Sequence, residues 1–211
     1  MEIGTLARIW RYPVKSLRGE ALYDVAIDAD GLEGDRTRAL LVRDGHSRLG
    51  KPYRGKEDER LHLTGDVRAA LASARERGVA LDLDDEEPRY FDDAPVSLIV
   101  DRWLEGVSAH VGYAVEPERF RPNLFATAPP EMRLHEADLT GREIALGEVR
   151  MRVRYPIKRC VTTTYDQRTG ESDPEILRYV AQARESWMGI YCDVLRAGTV
   201  RIGDALALVE R

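Results

Sequence analysis

The sequence predicts a β-rich α+β fold, a barrel of short strands whose openings are covered by short helices. Three observations carry that expectation. Stretches with period-two alternation of apolar and polar residues recur along the 211-residue chain, separated by Gly, Pro and Asp turn signals. Only about three segments combine helical spacing with recognisable caps. Helices do not alternate regularly with strands, and no Gly-x-Gly-x-x-Gly, Walker phosphate loop or Gly-x-Ser-x-Gly elbow is found, which argues against a doubly wound sheet.

Taken in order, "TLARIWRYPV" and "ALYDVAID" read as strands, "DADGLEGDR" as a glycine-rich turn, and "TRALLVRDGH" as a strand ending in the hairpin signal Asp44-Gly45. The charged, Gly- and Pro-punctuated "SRLGKPYRGKEDERLHL" reads as a surface loop. Asp66 is placed to cap a helix in which Val67, Ala70, Leu71 and Ala74 share one face and Gly78 is the stop. "LDLDDEEPRYFDD" reads as a solvated acidic connector rather than a metal cluster, because consecutive carboxylates point in different directions. "PVSLIV" predicts a buried strand, and Asp101 a cap for a short helix ending at Gly112. "EIALG" and "EVRMRVRYP" are strand-like, and the β-branched "CVTTTYD" continues that pattern. Asp173 and Pro174 open a helix with Ile176, Leu177 and Val180 on its apolar stripe. The remainder predicts two or three closing strands, with turns at Ala197-Gly198 and Gly203-Asp204. The expected division is an N-terminal β-rich module with one helix over residues 1–90 and a barrel domain over 91–211.

The composition is that of an ordinary globular protein, 43% hydrophobic and 33% charged. A formal charge of −5 argues against nucleic acid or an anionic membrane surface as main partner, while leaving room for a local basic pocket. "MEIGTLARIW" lacks the features of a secretory signal, and no apolar run approaches membrane-spanning length, so a cytoplasmic protein is expected. The two cysteines, Cys160 and Cys192, are too few for a disulfide scaffold and have no zinc-binding spacing.

Candidate chemistry begins with Cys160, whose neighbours Lys158 and Arg159 would favour a thiolate. The burial preference of free cysteine equally suits a small packed side chain, a reading that fits Cys192 better because it alternates with Ile190 and Val194. Lys15 and Ser16 in "YPVKS", Arg36 in "EGDRT", and Arg119, Arg121 and Asn123 in "RFRPN" sit at strand ends and turns. If convergent they would cradle a phosphate or a pterin-like ring; singly, each suits a charged surface. His46, His62, His110 and His135 are scattered without metal-ligand spacing and are expected in solvated or structural roles.

"YPVKSLRG", "GLEGDR", "RFRPN", "GREIALG", "RCVTTTYDQRTGE" and "RIGDAL" occur in the order of one family, and the chain resembles the MOSC proteins, similar to the C-terminal domain of molybdenum cofactor sulfurase, in their longer form with an N-terminal β-barrel module. Characterised relatives include the amidoxime-reducing components. The resemblance implies a MOSC-type β-barrel packed against a smaller N-terminal module, with molybdenum cofactor, a pyranopterin-molybdenum group, between them. It implies Cys160 as molybdenum ligand and catalytic residue, and Lys15, Ser16, Arg36, Arg121, Asn123 and Arg159 as cofactor-binding residues. It also implies reduction of N-hydroxylated or N-oxide-type small molecules, with electrons from a separate reductase or iron–sulfur protein, since no four-cysteine ferredoxin segment follows before Arg211. A sulfur carrier bearing a persulfide on Cys160, or a non-catalytic cofactor-delivery protein, are the other readings. Many relatives carry a second cysteine three residues before the ligand; Ile157 stands there in this chain.

Overall fold

The structure, a computed structural model, describes residues 1–86 and 89–209; Glu87 and Pro88 of the acidic connector, and the end of the chain at Glu210 and Arg211, lie outside the described residues. In chain order the strands are β1 (Glu2–Arg11), β2 (Glu20–Leu22), β3 (Asp24–Asp28), β4 (Gly31–Leu32), β5 (Ala39–Asp44), β6 (Ala80–Asp84), β7 (Val96–Val100), β8 (Leu124–Thr127), β9 (Glu143–Leu146), β10 (Val149–Lys158), β11 (Trp187–Arg196), β12 (Gly198–Arg201) and β13 (Ala205–Leu208). The α-helices are α1 (Val67–Glu76), α2 (Asp101–Val111) and α3 (Pro174–Ala183).

Seven strands close into a barrel in the order β1-β8-β7-β11-β10-β9-β13, with β13 returning to β1. Closure depends on the ten-residue length of β1. Its first half pairs with β13 on one edge, its middle with β8 on the other, and its last residues with β2. Among the described strands of the barrel, β7 and β8 are the one parallel pair, and α2 lies in the crossover between them. The inward alternation buries Ile3, Leu6, Ile9, Val149, Met151, Val153, Ile190 and Cys192 in one core, which α2 closes with Trp103, Leu104 and Val107 and α3 with Ile176 and Val180. Each such fully buried aliphatic side chain contributes about 1.5–3 kcal/mol.

A second core lies between the β5–β6 pair and α1, built from Val14, Leu17, Leu40, Val42, Tyr53, Leu61, Ala70, Ala74 and Leu81 among others. Asp66 caps α1 by accepting from the Ala69 N–H, and Gly78 leaves the helix at φ +76°. Asp173 likewise caps α3, and Gly112 ends α2 in the left-handed conformation. Among the described residues no helix is long and apolar enough to cross a membrane.

Several local expectations are corrected. Asp101 is the first residue of α2 rather than its cap; its carboxylate accepts from the N–H groups of Arg102 and Ala128. After Asp44-Gly45 the chain folds back at residues 50–53 along β5, but the strand pairing with β5 is β6, the front of the supposed acidic connector. Residues 47–63 are no mere surface loop: Tyr53, Asp58, Leu61 and His62 are buried, two of them in the second core. "CVTTTYD" is not a strand. Residues 161–164 form a 3₁₀ turn in which the Thr163 and Thr164 hydroxyls donate to the carbonyls of Cys160 and Val161. Those side-chain bonds to nearby backbone outcompete the strand preference of β-branched residues.

Candidate functional site

One cleft of about 260 Å³ is lined by all seven residues singled out from the sequence: Lys15, Ser16, Arg36, Arg121, Asn123, Arg159 and Cys160. Each arrives by a different route. Lys15 and Ser16 follow β1 in a turn where Ser16 holds φ +71°. Arg36, at φ +47°, is pinned on both sides of its peptide: its N–H donates to the Tyr12 carbonyl and its own carbonyl accepts from the Tyr90 N–H. Arg121 ends the 3₁₀ turn Pro117–Phe120 at φ +51°, and its N–H donates to the Glu118 carbonyl.

β10 delivers Arg159 and Cys160. Its register shifts between Val153 and Tyr155 and again between Pro156 and Lys158, where its far edge is no longer paired with β9. Proline is tolerated at such an open edge, and the irregularities turn the strand end toward the cleft. Arg159 follows, its backbone N–H donating to the Ser186 carbonyl; Cys160 comes next and is exposed at the cleft, its Sγ 3.3 Å from Thr162 Oγ1. The packed-residue reading therefore fails for Cys160 and holds for Cys192, which is buried in the barrel core with its thiol pKa pushed up by burial.

The cleft is strongly basic. Lys15 pairs with Asp92 at 2.5 Å and Arg36 with buried Asp35 at 2.5 Å, while Arg119 pairs with Asp166 at 3.1 Å. Arg121 and Arg159 have no carboxylate partner among the described residues. Arg121 lies 4.3 Å from the Tyr12 ring centre and donates to the Leu17 carbonyl. Arg159 donates to the carbonyls of Met188 and Phe120, and its Nη2, buried, has no partner among the described residues. Burial pushes both guanidinium pKa values down, each to about 10, so both remain protonated at neutral pH. Tyr12, beneath Arg36 and Arg121, is pushed up to about 12 by burial and stays a phenol that donates to the Pro122 carbonyl.

Asn123 plays a different part from the cations. Its Oδ1 accepts from the Ser97 N–H, the Ser97 hydroxyl and Arg36 Nη1, and its Nδ2 donates to the Trp10 carbonyl. That side chain is committed to locking β7, β8 and Arg36 together.

Two further cleft residues were not among the binding residues expected from the sequence, which gave His62 only a solvated or structural role. His62 is 2% exposed; its Nδ1 lies 2.9 Å from the Ser16 carbonyl, and its Nε2 has no partner among the described residues. Burial, aided by Arg121, pushes its pKa down to about 3, so it is neutral, with Nδ1–H donating to Ser16 and Nε2 left as an acceptor. Gly55 is required opposite, because a Cβ there would collide with Nε2. Asp92, in the supposed connector, is pushed up by burial but held below the usual carboxylate range by Lys15 and its neighbouring arginines. The only sequence signal for either was its place within a segment otherwise too polar to pack.

A family model described as the MOSC N-terminal beta barrel domain matches residues 3–64, and one described as the MOSC domain matches residues 62–207. The mitochondrial amidoxime reducing component 2 of Rattus norvegicus is 30% identical over 135 residues, covering 58% of this chain and 39% of that protein. The match thus spans well under half of that relative. Among solved structures, the YUAD protein from Bacillus subtilis aligns at a TM-score of 0.56 and 14% identity over 98% of this chain and 96% of its own. A crystal structure described as a hypothetical protein aligns at 0.50 and 13% over 100% and 70%. At such identities the structures establish the fold alone.

Proposed function

The chain belongs to the MOSC domain family, and from that membership we propose that its cleft binds molybdenum cofactor and serves the reduction of N-hydroxylated or N-oxide-type small molecules. One observation carries the reading: two buried guanidiniums, Arg121 and Arg159, share a cleft with the exposed thiol of Cys160 and have no carboxylate of their own among the described residues. An unpaired buried cation is costly, and a bound anion removes the cost. A pyranopterin phosphate is such an anion, and a guanidinium is the side chain best matched to it.

The donor set also suits the metal. Among the described residues no three His, Cys, Asp or Glu side chains converge on a metal position, so a metal here would draw most of its ligands from the group that carries it. Cys160 would add one soft thiolate, a ligand type suited to a sulfur-rich metal site. In this assignment Arg121, Arg159 and Lys15 hold the anionic end, Ser16 and neutral His62 offer hydrogen bonds along the ring, and Arg36 is steadied by Asp35 and Asn123. When bound, the group supplies a two-electron couple, so that an N-hydroxylated amine takes up two electrons and two protons, its N–O bond breaks, and the amine and one water leave. The electrons come from a separate reductase or iron–sulfur protein. The relative from Rattus norvegicus, named for amidoxime reduction, supports this reaction class.

Protein produced in a host that makes molybdenum cofactor is expected to contain molybdenum and pterin in equal amounts. Cys160→Ser loses molybdenum, and Arg159→Met loses pterin and molybdenum together. Preparations with neither group would sink the reading. The exposure of Cys160 also suits a sulfur carrier; metal-free protein releasing sulfur to cyanide from Cys160 alone would favour it.

A further inference from the structure

We infer that Glu136, a buried carboxylate outside the cleft, is the positioning residue for Arg159 and Cys160, acting through the turn between α3 and β11. Glu136 opens the 3₁₀ turn Glu136–Leu139 and is 3% exposed, and it does not line the cleft. Both of its oxygens lie 2.6 Å from Arg184 Nη2, and Oε1 also accepts from the Gly189 N–H at 3.1 Å. One carboxylate therefore ties together the two ends of the segment 184–189. Arg184 draws the segment tighter, its Nε donating to the Trp187 carbonyl and its own carbonyl accepting from the Trp187 N–H.

That segment is strained. Glu185 at φ +52° and Ser186 at φ +68° are the two positive-φ non-glycine residues, among those described, that do not line the cleft. Such backbone persists only where its surroundings over-determine it, and the charge-assisted bonds of Glu136 at both ends supply that constraint. What the strained turn presents is a socket for Arg159. The Ser186 carbonyl accepts from the Arg159 backbone N–H at 2.8 Å and the Met188 carbonyl from Nε at 2.7 Å. Gly189 stands against Nη2: a Cβ there would lie 3.1 Å from that atom and 2.9 Å from the Leu98 carbonyl, so the socket has no slack on this side. Among the described residues, Arg159 makes one further hydrogen bond, to the Phe120 carbonyl. Cys160 is the next residue, so the turn that sets the Arg159 peptide also sets where the thiol enters the cleft. The placement stands on geometry alone; its consequence for cofactor retention rests on the function proposed above.

Glu136→Gln keeps the size and one acceptor but turns a donor toward Arg184. In ¹⁵N–¹H spectra of the cofactor-free chain, the Arg159 Nε–H is expected to give a discrete, slowly exchanging signal, identified by its loss in Arg159→Met. In Glu136→Gln that signal should shift and exchange at least about tenfold faster, the change that follows loss of about one hydrogen bond's worth of local stability. Leu40→Ala, which truncates the second core without touching Arg159, should leave the signal in place. Protein produced in a host that makes molybdenum cofactor is expected to lose pterin in Glu136→Gln, as in Arg159→Met. Should Glu136→Gln fail to fold, Glu136→Leu combined with Arg184→Met takes its place, since it leaves no buried charge unpaired. An unchanged Arg159 Nε–H signal in the folded variant, or an equal change in Leu40→Ala, would overturn the inference. A parent protein without pterin counts against the proposed function, and the Nε–H signal still decides the role of Glu136.

Discussion

Replacing Asn123 by alanine tests whether this residue is a structural hub as well as a cleft wall. The side chain is 1% exposed and makes four hydrogen bonds. In Asn123→Ala the Ser97 N–H loses its acceptor in a buried strand, at about 1–3 kcal/mol. The Ser97 hydroxyl can still accept from the Asn123 backbone N–H, and Arg36 keeps Asp35, so those losses are partial. The 3.4 Å bond from Nδ2 to Trp10 is long and adds little. The sum is about 3 kcal/mol, which for a chain of this size lowers the thermal midpoint by about 6–12 °C. Circular dichroism melts and urea titrations of the purified variant measure it. In a double-mutant cycle with Ser97→Ala, the pair should couple by about 1 kcal/mol or more, because both changes remove the same contact. A midpoint drop under about 2 °C, or strict additivity with Ser97→Ala, would refute the argument that the Asn123 amide is spent on the fold.

Other expectations follow from the same geometry. The pKa of His62 is depressed from its ordinary 6.5 to about 3, so between those values the unfolded chain binds a proton that the folded one refuses. Stability is complete above pH 6.5 and falls as the pH drops toward 3; the loss between pH 6.5 and 5 should be about 2 kcal/mol by urea titration, and much reduced in His62→Asn. Iodoacetamide should label one thiol, Cys160, in the native protein and both in urea, as mass spectrometry would register; rapid native labelling of Cys192 would contradict its burial. Arg159→Met removes a buried cation that lacks a carboxylate partner, so the cofactor-free protein is expected to melt no lower than the parent, at or slightly above its midpoint. A fall of more than about 5 °C would mean that its bonds to Met188 and Phe120 outweigh the burial of the charge.

What was legible in the sequence was whatever a short window determines. Period-two alternation, the caps Asp66 and Asp173 and the stops Gly78 and Gly112 are local devices, and they appear where the residues place them. The exposure of Cys160 was not, because β-branched residues favour strands on average and the contrary evidence is the bonding of two threonine hydroxyls to carbonyls three residues back. His62 and Asp92 were missed for a different reason. Their partners, the Ser16 carbonyl and Lys15, lie 46 and 77 residues away, and nothing in a polar loop announces a contact at that distance.

Backbone strain shows how these distant pieces were made to converge. Among the described residues five non-glycine positions have positive φ, and three of them, Ser16, Arg36 and Arg121, line the cleft. Each costs about 1 kcal/mol or more and persists only where the surroundings over-determine it. Here they do: Arg36 is held through Tyr12 and Tyr90, the Ser16 carbonyl by His62, and the Leu17 carbonyl by Arg121. Glycine would relieve the strain at any of the three but would delete the side chain that reaches the cleft. The strain falls on residues whose side chains meet there, which is the distribution expected if the fold bears the cost of arranging them for a ligand.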